Sequence, residues 1–157
     1  MDNIKTTHGD LVVRDGRFAI VASRFNDFIV DSLIKGALHT LQQHGADDAD
    51  IEIFRTPGAF EMPVVVDKVA AARRFDGIIA LGAVIRGGTP HFDYVAGECV
   101  KGIAAAARTH GIPVGFGILT TDTIEQAIER AGTKAGNKGV DAALAVIETV
   151  SLLRRID

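Results

Sequence analysis

Tryptophan is absent from the 157 residues, and cysteine occurs once, at Cys99. A lone cysteine excludes an internal disulfide, and its place in the apolar pattern Val95, Cys99, Val100, Ile103 suits an inert core thiol rather than a nucleophile. No run of about eighteen apolar residues is present to span a bilayer. Residues 1–10 are polar and hold no secretory apolar stretch, so the expected location is the cytoplasm. Nor is one sign of charge concentrated: 17 Lys and Arg stand against 20 Asp and Glu, a formal charge of −3, without a nucleic-acid footprint.

Cofactor signatures are also lacking. His8, His39, His44, His91 and His110 show no close metal-ligand spacing, and no G-x-G-x-x-G follows the first apolar run. Residues 132–139 are too short in glycine spacing for a triphosphate loop, and Lys138 is followed by Gly139 rather than by Ser or Thr. Lys35, Lys68 and Lys101 fall in helical patterns, which leaves no strand-borne lysine for a Schiff base. Ser23-Arg24 and Ile85-Arg86 stand where a receiver domain would need carboxylates. The expectation is a protein with no metal and no cofactor.

What is present is an alternation. Apolar content of 47% with 17 glycines suits a compact α/β protein, read as one domain over residues 1–157. Near-continuous apolar runs at 17–23, 51–55, 77–85 and 114–119 read as buried strands. Helical periodicity lies between them. One helix, capped by Asn26 or Asp27, carries Ile29, Leu33, Ile34, Ala37, Leu38 and Leu41 and closes at Gly45. Others follow Pro63, span about 92–110 before Gly111, and begin at Thr120-Thr121-Asp122; a last one reaches about Arg155. The pattern predicts a three-layer, doubly wound sheet of four parallel strands in flavodoxin-like order 2-1-3-4. Residues 11–13 read as a further short strand available to a neighbouring subunit.

In such sheets ligands collect at the carboxyl ends of the strands, and here three of those ends mix aromatics, glycines and ionisable groups. Phe25 is either a ring for stacking on a flat ligand or a plug over the sheet. Gly58, Ala59, Phe60 and Glu61 offer free amides and a carboxylate to an oxygen-rich ligand, or Glu61 is simply a helix-start acid. Gly87 and Gly88 permit positive φ or close approach of a ligand, with the Thr89 hydroxyl alongside. His91 follows as a proton carrier, the alternative being a tight turn with an exposed histidine. Arg130, near Lys134 and Lys138, is a solvated basic helix end or a phosphate clamp supplied by another subunit.

Five ordered segments carry a resemblance: Ser23-Arg24-Phe25-Asn26, residues 57–63, residues 82–91, Phe116-Gly117-Ile118-Leu119-Thr120-Thr121, and residues 125–139. Through them nearly the whole chain resembles the lumazine synthase family. The resemblance implies a transferase for the penultimate step of riboflavin biosynthesis. Its reaction condenses 5-amino-6-(D-ribitylamino)uracil with 3,4-dihydroxy-2-butanone 4-phosphate to 6,7-dimethyl-8-ribityllumazine, phosphate and water, without cofactor or metal.

The resemblance further implies that Phe25 stacks on the pyrimidine with Asn26 beside it, while Ala59, Phe60 and Glu61, next to Gly58, bind the ribityl chain. Val84 and Ile85 would line the ring pocket. Gly88, Thr89 and Arg130 would hold the phosphate, with His91 moving protons and Asp141 a candidate to orient it. Phe116, Arg130 and Lys138 would come from the adjacent subunit of a pentamer. The uninterrupted 132–139 segment resembles that of shell-forming members, icosahedral 60-mers in which riboflavin synthase is a candidate partner. A non-catalytic flavin carrier and a structural cage are the competing readings; an intact His91 and Arg130 favour the enzyme.

Overall fold

A computed structural model describes residues 2–156. Strands β1 (Phe18–Ser23), β2 (Ile51–Thr56), β3 (Gly77–Ile85) and β4 (Val114–Thr121) form one parallel sheet in the order β2-β1-β3-β4. Every residue of β1 is buried, as is β3 up to Val84, which explains why these strands read as unbroken apolar runs.

Helices α1 (Asp27–Gln43) and α5 (Lys138–Leu153) cover one face, where Leu33, Ile34, Val146 and Ile147 pack on Phe18, Ile20 and Ile79. Helices α2 (Met62–Ala71) and α3 (His91–His110) cover the other, where Met62, Val66, Cys99 and Ile103 pack on Ala19, Val21 and Ile78. Alternation of side chains along each strand divides the core in this way. A Cβ on Gly139 would overlap the Leu33 carbonyl, so glycine is what lets α5 begin directly against α1.

Several boundaries differ from those expected. Helix α4 is the short Ile124–Glu129 segment, beginning later than Thr120, because Thr120 and Thr121 extend β4 in register with Val84 and Ile85. The Thr123 hydroxyl caps α4 by accepting from the Gln126 N–H at 3.1 Å. The 130–137 region connects α4 to α5. It holds an antiparallel pair, β5 (Ala131–Thr133) and β6 (Gly136–Asn137), and the Asn137 carboxamide oxygen then caps α5. Helix α5 ends at Leu153, two residues short of the expected end.

Residues 11–13 pair with no strand among the described residues. The Val13 N–H donates to the His44 carbonyl at 2.8 Å and the Val12 N–H to Asp10 Oδ1 at 3.2 Å, so these donors serve tethers instead of a ladder. Asp10 anchors the segment: it accepts from Arg14, Arg155 and the Ser151 hydroxyl. The Arg14 guanidinium holds the Asp10 carboxyl well below the usual carboxylate range.

Candidate active site

The carboxyl ends of β1 and β2 continue their ladder past the strands. Arg24 N–H donates to the Thr56 carbonyl at 2.8 Å and Phe25 N–H to the Pro57 carbonyl at 3.1 Å. Phe25 is thereby set beside the turn at 58–61. Phe25 is 72% exposed, so within this chain it does not plug the sheet. Asn26 then adopts left-handed φ 62°, ψ 42°; its side chain does not cap α1 but donates from Nδ2 to the Ala83 carbonyl, 2.9 Å away on β3.

The 58–61 turn is held from below. The buried Thr56 hydroxyl donates to the Gly58 carbonyl at 2.8 Å, and Met62 N–H to the Ala59 carbonyl at 3.2 Å. A Cβ on Gly58 would stand 3.1 Å from Glu61 Oε2, so the carboxylate curls back over the glycine. Phe25, Gly58, Ala59, Phe60, Glu61 and His91 line one cleft of about 370 Å³, together with Tyr94 and Val95.

His91 is the first residue of α3 and is exposed. Gly88 and Thr89, in the preceding loop, are exposed as well. Neither Gly87 nor Gly88 takes positive φ, contrary to one of the two uses expected of them, and a Cβ on either would meet nothing within 4 Å. What the glycines provide is open space. Val84 is buried toward α2 and α3, whereas Ile85 packs toward α1 and α5, because consecutive strand residues face opposite ways. Neither borders the His91 cleft in this chain.

A second cleft, of about 390 Å³, is lined by Phe116, Ile118, Leu119, Thr120, Arg130, Ala135, Lys138 and Asp141. The turn after α4 sets Arg130: its N–H donates to the Ala127 carbonyl at 3.1 Å, and its carbonyl accepts from Lys138 N–H at 2.9 Å. Its guanidinium donates to the Gln126 carbonyl at 3.0 Å. Within one chain, therefore, Phe116, Arg130 and Lys138 share a cleft with one another and not with Phe25 and His91. Asp141 lies in the Arg130 cleft and does not line the His91 cleft.

Residues 15–154 match the family described as 6,7-dimethyl-8-ribityllumazine synthase. The chain belongs to the lumazine synthase family. It is 60% identical to the 6,7-dimethyl-8-ribityllumazine synthase of Nitratidesulfovibrio vulgaris strain Miyazaki F over 156 residues, 99% of this chain and 100% of that protein. It is 58% identical to the protein of the same name from Desulfovibrio desulfuricans, with the same coverage of both chains.

In this lumazine synthase family member the two clefts differ in the side chains they gather. The first combines aromatic rings, backbone amides, a carboxylate and an imidazole; the second combines two cations, a carboxylate and a half-exposed ring, Phe116. Reading the sequence missed Tyr94 and Val95, although their spacing of three and four residues from His91 puts them on its helix face. Also missed were Ile118, Leu119 and Ala135, for which apolar periodicity gives no functional signal. Cys99 is fully buried, and burial pushes its thiol up to about 11, so it takes no part as a thiolate near neutrality. Among the described residues, no helix is long and apolar enough to cross a membrane.

Proposed function

We propose that this chain condenses 5-amino-6-(D-ribitylamino)uracil with 3,4-dihydroxy-2-butanone 4-phosphate to 6,7-dimethyl-8-ribityllumazine, releasing phosphate and water, at a site shared between neighbouring copies. Family membership over nearly the full length supports the reaction. The observation that carries the shared site is the separation of the His91 cleft from the Arg130 cleft in one chain. A single copy offers two incomplete halves.

In this reading the exposed Phe25 ring stacks on the pyrimidine, with Asn26 beside it. The ribityl hydroxyls take the Glu61 carboxylate and the backbone groups of Gly58, Ala59 and Phe60. The Gly88 and Thr89 amides, the Thr89 hydroxyl and a neighbour's Arg130 hold the phosphate, the guanidinium supplying forked donors. Phe116 and Lys138 from that neighbour close the pocket. The substrate amine is the nucleophile, so no enzyme lysine is required: it attacks the ketone carbon, loss of water leaves an imine, and once phosphate has left the ribitylamino nitrogen closes the ring on the carbonyl so formed, with loss of a second water. His91 carries protons in that dehydration and in the elimination of phosphate. Holding both substrates in register supplies much of the acceleration.

Copies related by a ring, a pentamer in this reading, would complete every site, and sixty-subunit shells with riboflavin synthase as a partner are its extension. The test is lumazine fluorescence from purified protein and both substrates without added cofactor or metal. Saturable acceleration is expected, and a folded sample no faster than background overturns the reading. The shared site is tested by co-expressing His91→Ala and Arg130→Ala chains. Random mixing in a ring restores about a quarter of the sites, whereas a site built within one chain restores none.

A further inference from the structure

Arg86 opens the loop that carries Gly88, Thr89 and His91, and its contacts all lie outside residues 87–90. Its backbone N–H donates to the Thr121 carbonyl at 2.8 Å. Its Nε donates to Asp122 Oδ1 at 2.9 Å, and another guanidinium nitrogen stands 3.6 Å from Asp93 Oδ1. The guanidinium carbon sits 4.4 Å from the centroid of the Phe92 ring. Phe92 and Asp93 directly follow His91, while Asp122 leads into α4, the helix that ends one residue before Arg130.

The loop between these anchors is spanned rather than packed, since a Cβ on Gly87 or Gly88 would touch nothing. One side chain therefore ties the start of the loop to its end and ties both to α4. A guanidinium can do this because it presents separate N–H groups to two carboxylates while its face lies on a ring. Exposed ion pairs of this kind add little to stability, too little to account for the arrangement as a stability device. Their consequence is geometric.

We propose that Arg86 is a positioning residue: by clasping Asp122, Asp93 and Phe92 it holds the Gly88-Thr89-His91 loop in fixed relation to the start of α4. The inference rests on the site described under Proposed function. It requires that the Arg86 effect on catalysis pass through Asp122 rather than through contact with substrate.

The test is a double-mutant cycle with Arg86→Ala, Asp122→Ala and the double variant, together with Arg86→Lys, in the full-length assembled protein. Each single variant is expected to lower kcat/KM by about tenfold or more, the scale of a misplaced catalytic group, with little change in melting temperature. The double variant is expected to be no worse than the worse single one, since the two residues act as a unit. Arg86→Lys keeps the charge but not the fork and is expected to remain impaired. Additive losses, full recovery with lysine, or turnover unchanged in Arg86→Ala while His91→Ala is slow would each overturn the inference alone. Unchanged turnover in His91→Ala and Arg130→Ala would remove the site reading on which it stands.

Discussion

The side-chain amide of Asn26 donates to the carbonyl of Ala83 across 2.9 Å, joining the loop after β1 to β3 two residues before that strand ends. The residue that makes this bond also bends the chain through left-handed φ 62°. Both roles can be separated by substitution. Asn26→Gly keeps the backbone turn and loses the bond, for an expected loss of about 1 kcal/mol. Asn26→Ala loses the bond and strains the turn, for about 1–2 kcal/mol more. Denaturant midpoints of the two variants check this; equal stabilities would show that the left-handed turn carries no strain.

Gly87→Ala and Gly88→Ala should both fold with unchanged melting temperature, because neither position has positive φ and neither Cβ meets a neighbour. The Gly88 variant should nevertheless raise KM for the phosphorylated substrate, where a methyl group would intrude on the bound anion. KM for the ribitylaminouracil should hold. Two-substrate steady-state kinetics reads the difference, and equal rises for both substrates would contradict the assignment of this loop to phosphate.

Gly58→Ala places a methyl carbon where Glu61 Oε2 now approaches, at 3.1 Å. The carboxylate is the far end of a flexible side chain and can swing away, so stability should change by less than about 0.5 kcal/mol. Ribityl recognition should suffer instead. The expected result is a higher KM for the ribitylaminouracil in Gly58→Ala and a larger rise in Glu61→Gln, with KM for the phosphorylated substrate unchanged in both.

Cys99 makes a pH-dependent contribution. Burial raises its thiol from 9.0 to about 11 in the folded chain, so between those values the unfolded chain has lost a proton that the folded chain retains. Unfolding releases that proton, and stability from this group falls as pH rises through the window, by at most about 3 kcal/mol. Below pH 9 the effect vanishes. Comparing Cys99→Ala with the parent protein at pH 8 and pH 10.5 checks it: the parent should lose the more stability of the two. A thiol reagent at pH 7.5 should react only after denaturation.

The sequence by itself determined the alternation of strands and helices, the parallel sheet and the edge that bears the polar loops. These depend on local periodicity and on the polarity of short segments, which a single chain displays openly. The apolar run 77–85 coincides with β3 because a strand buried on both faces has no polar residue to blur its limits. Phe25, Gly58, Ala59, Phe60, Glu61 and His91 were likewise legible as a group, since each follows a strand end on one edge. Only the tertiary structure decided that Arg130, Lys138 and Phe116 gather in a different cleft from His91, and that Asn26 uses its amide on Ala83 rather than on a helix cap. Those outcomes depend on distances between segments far apart in the chain, such as the 57 residues separating Asn26 from Ala83. No local pattern encodes such a distance, because it is set by how the layers pack.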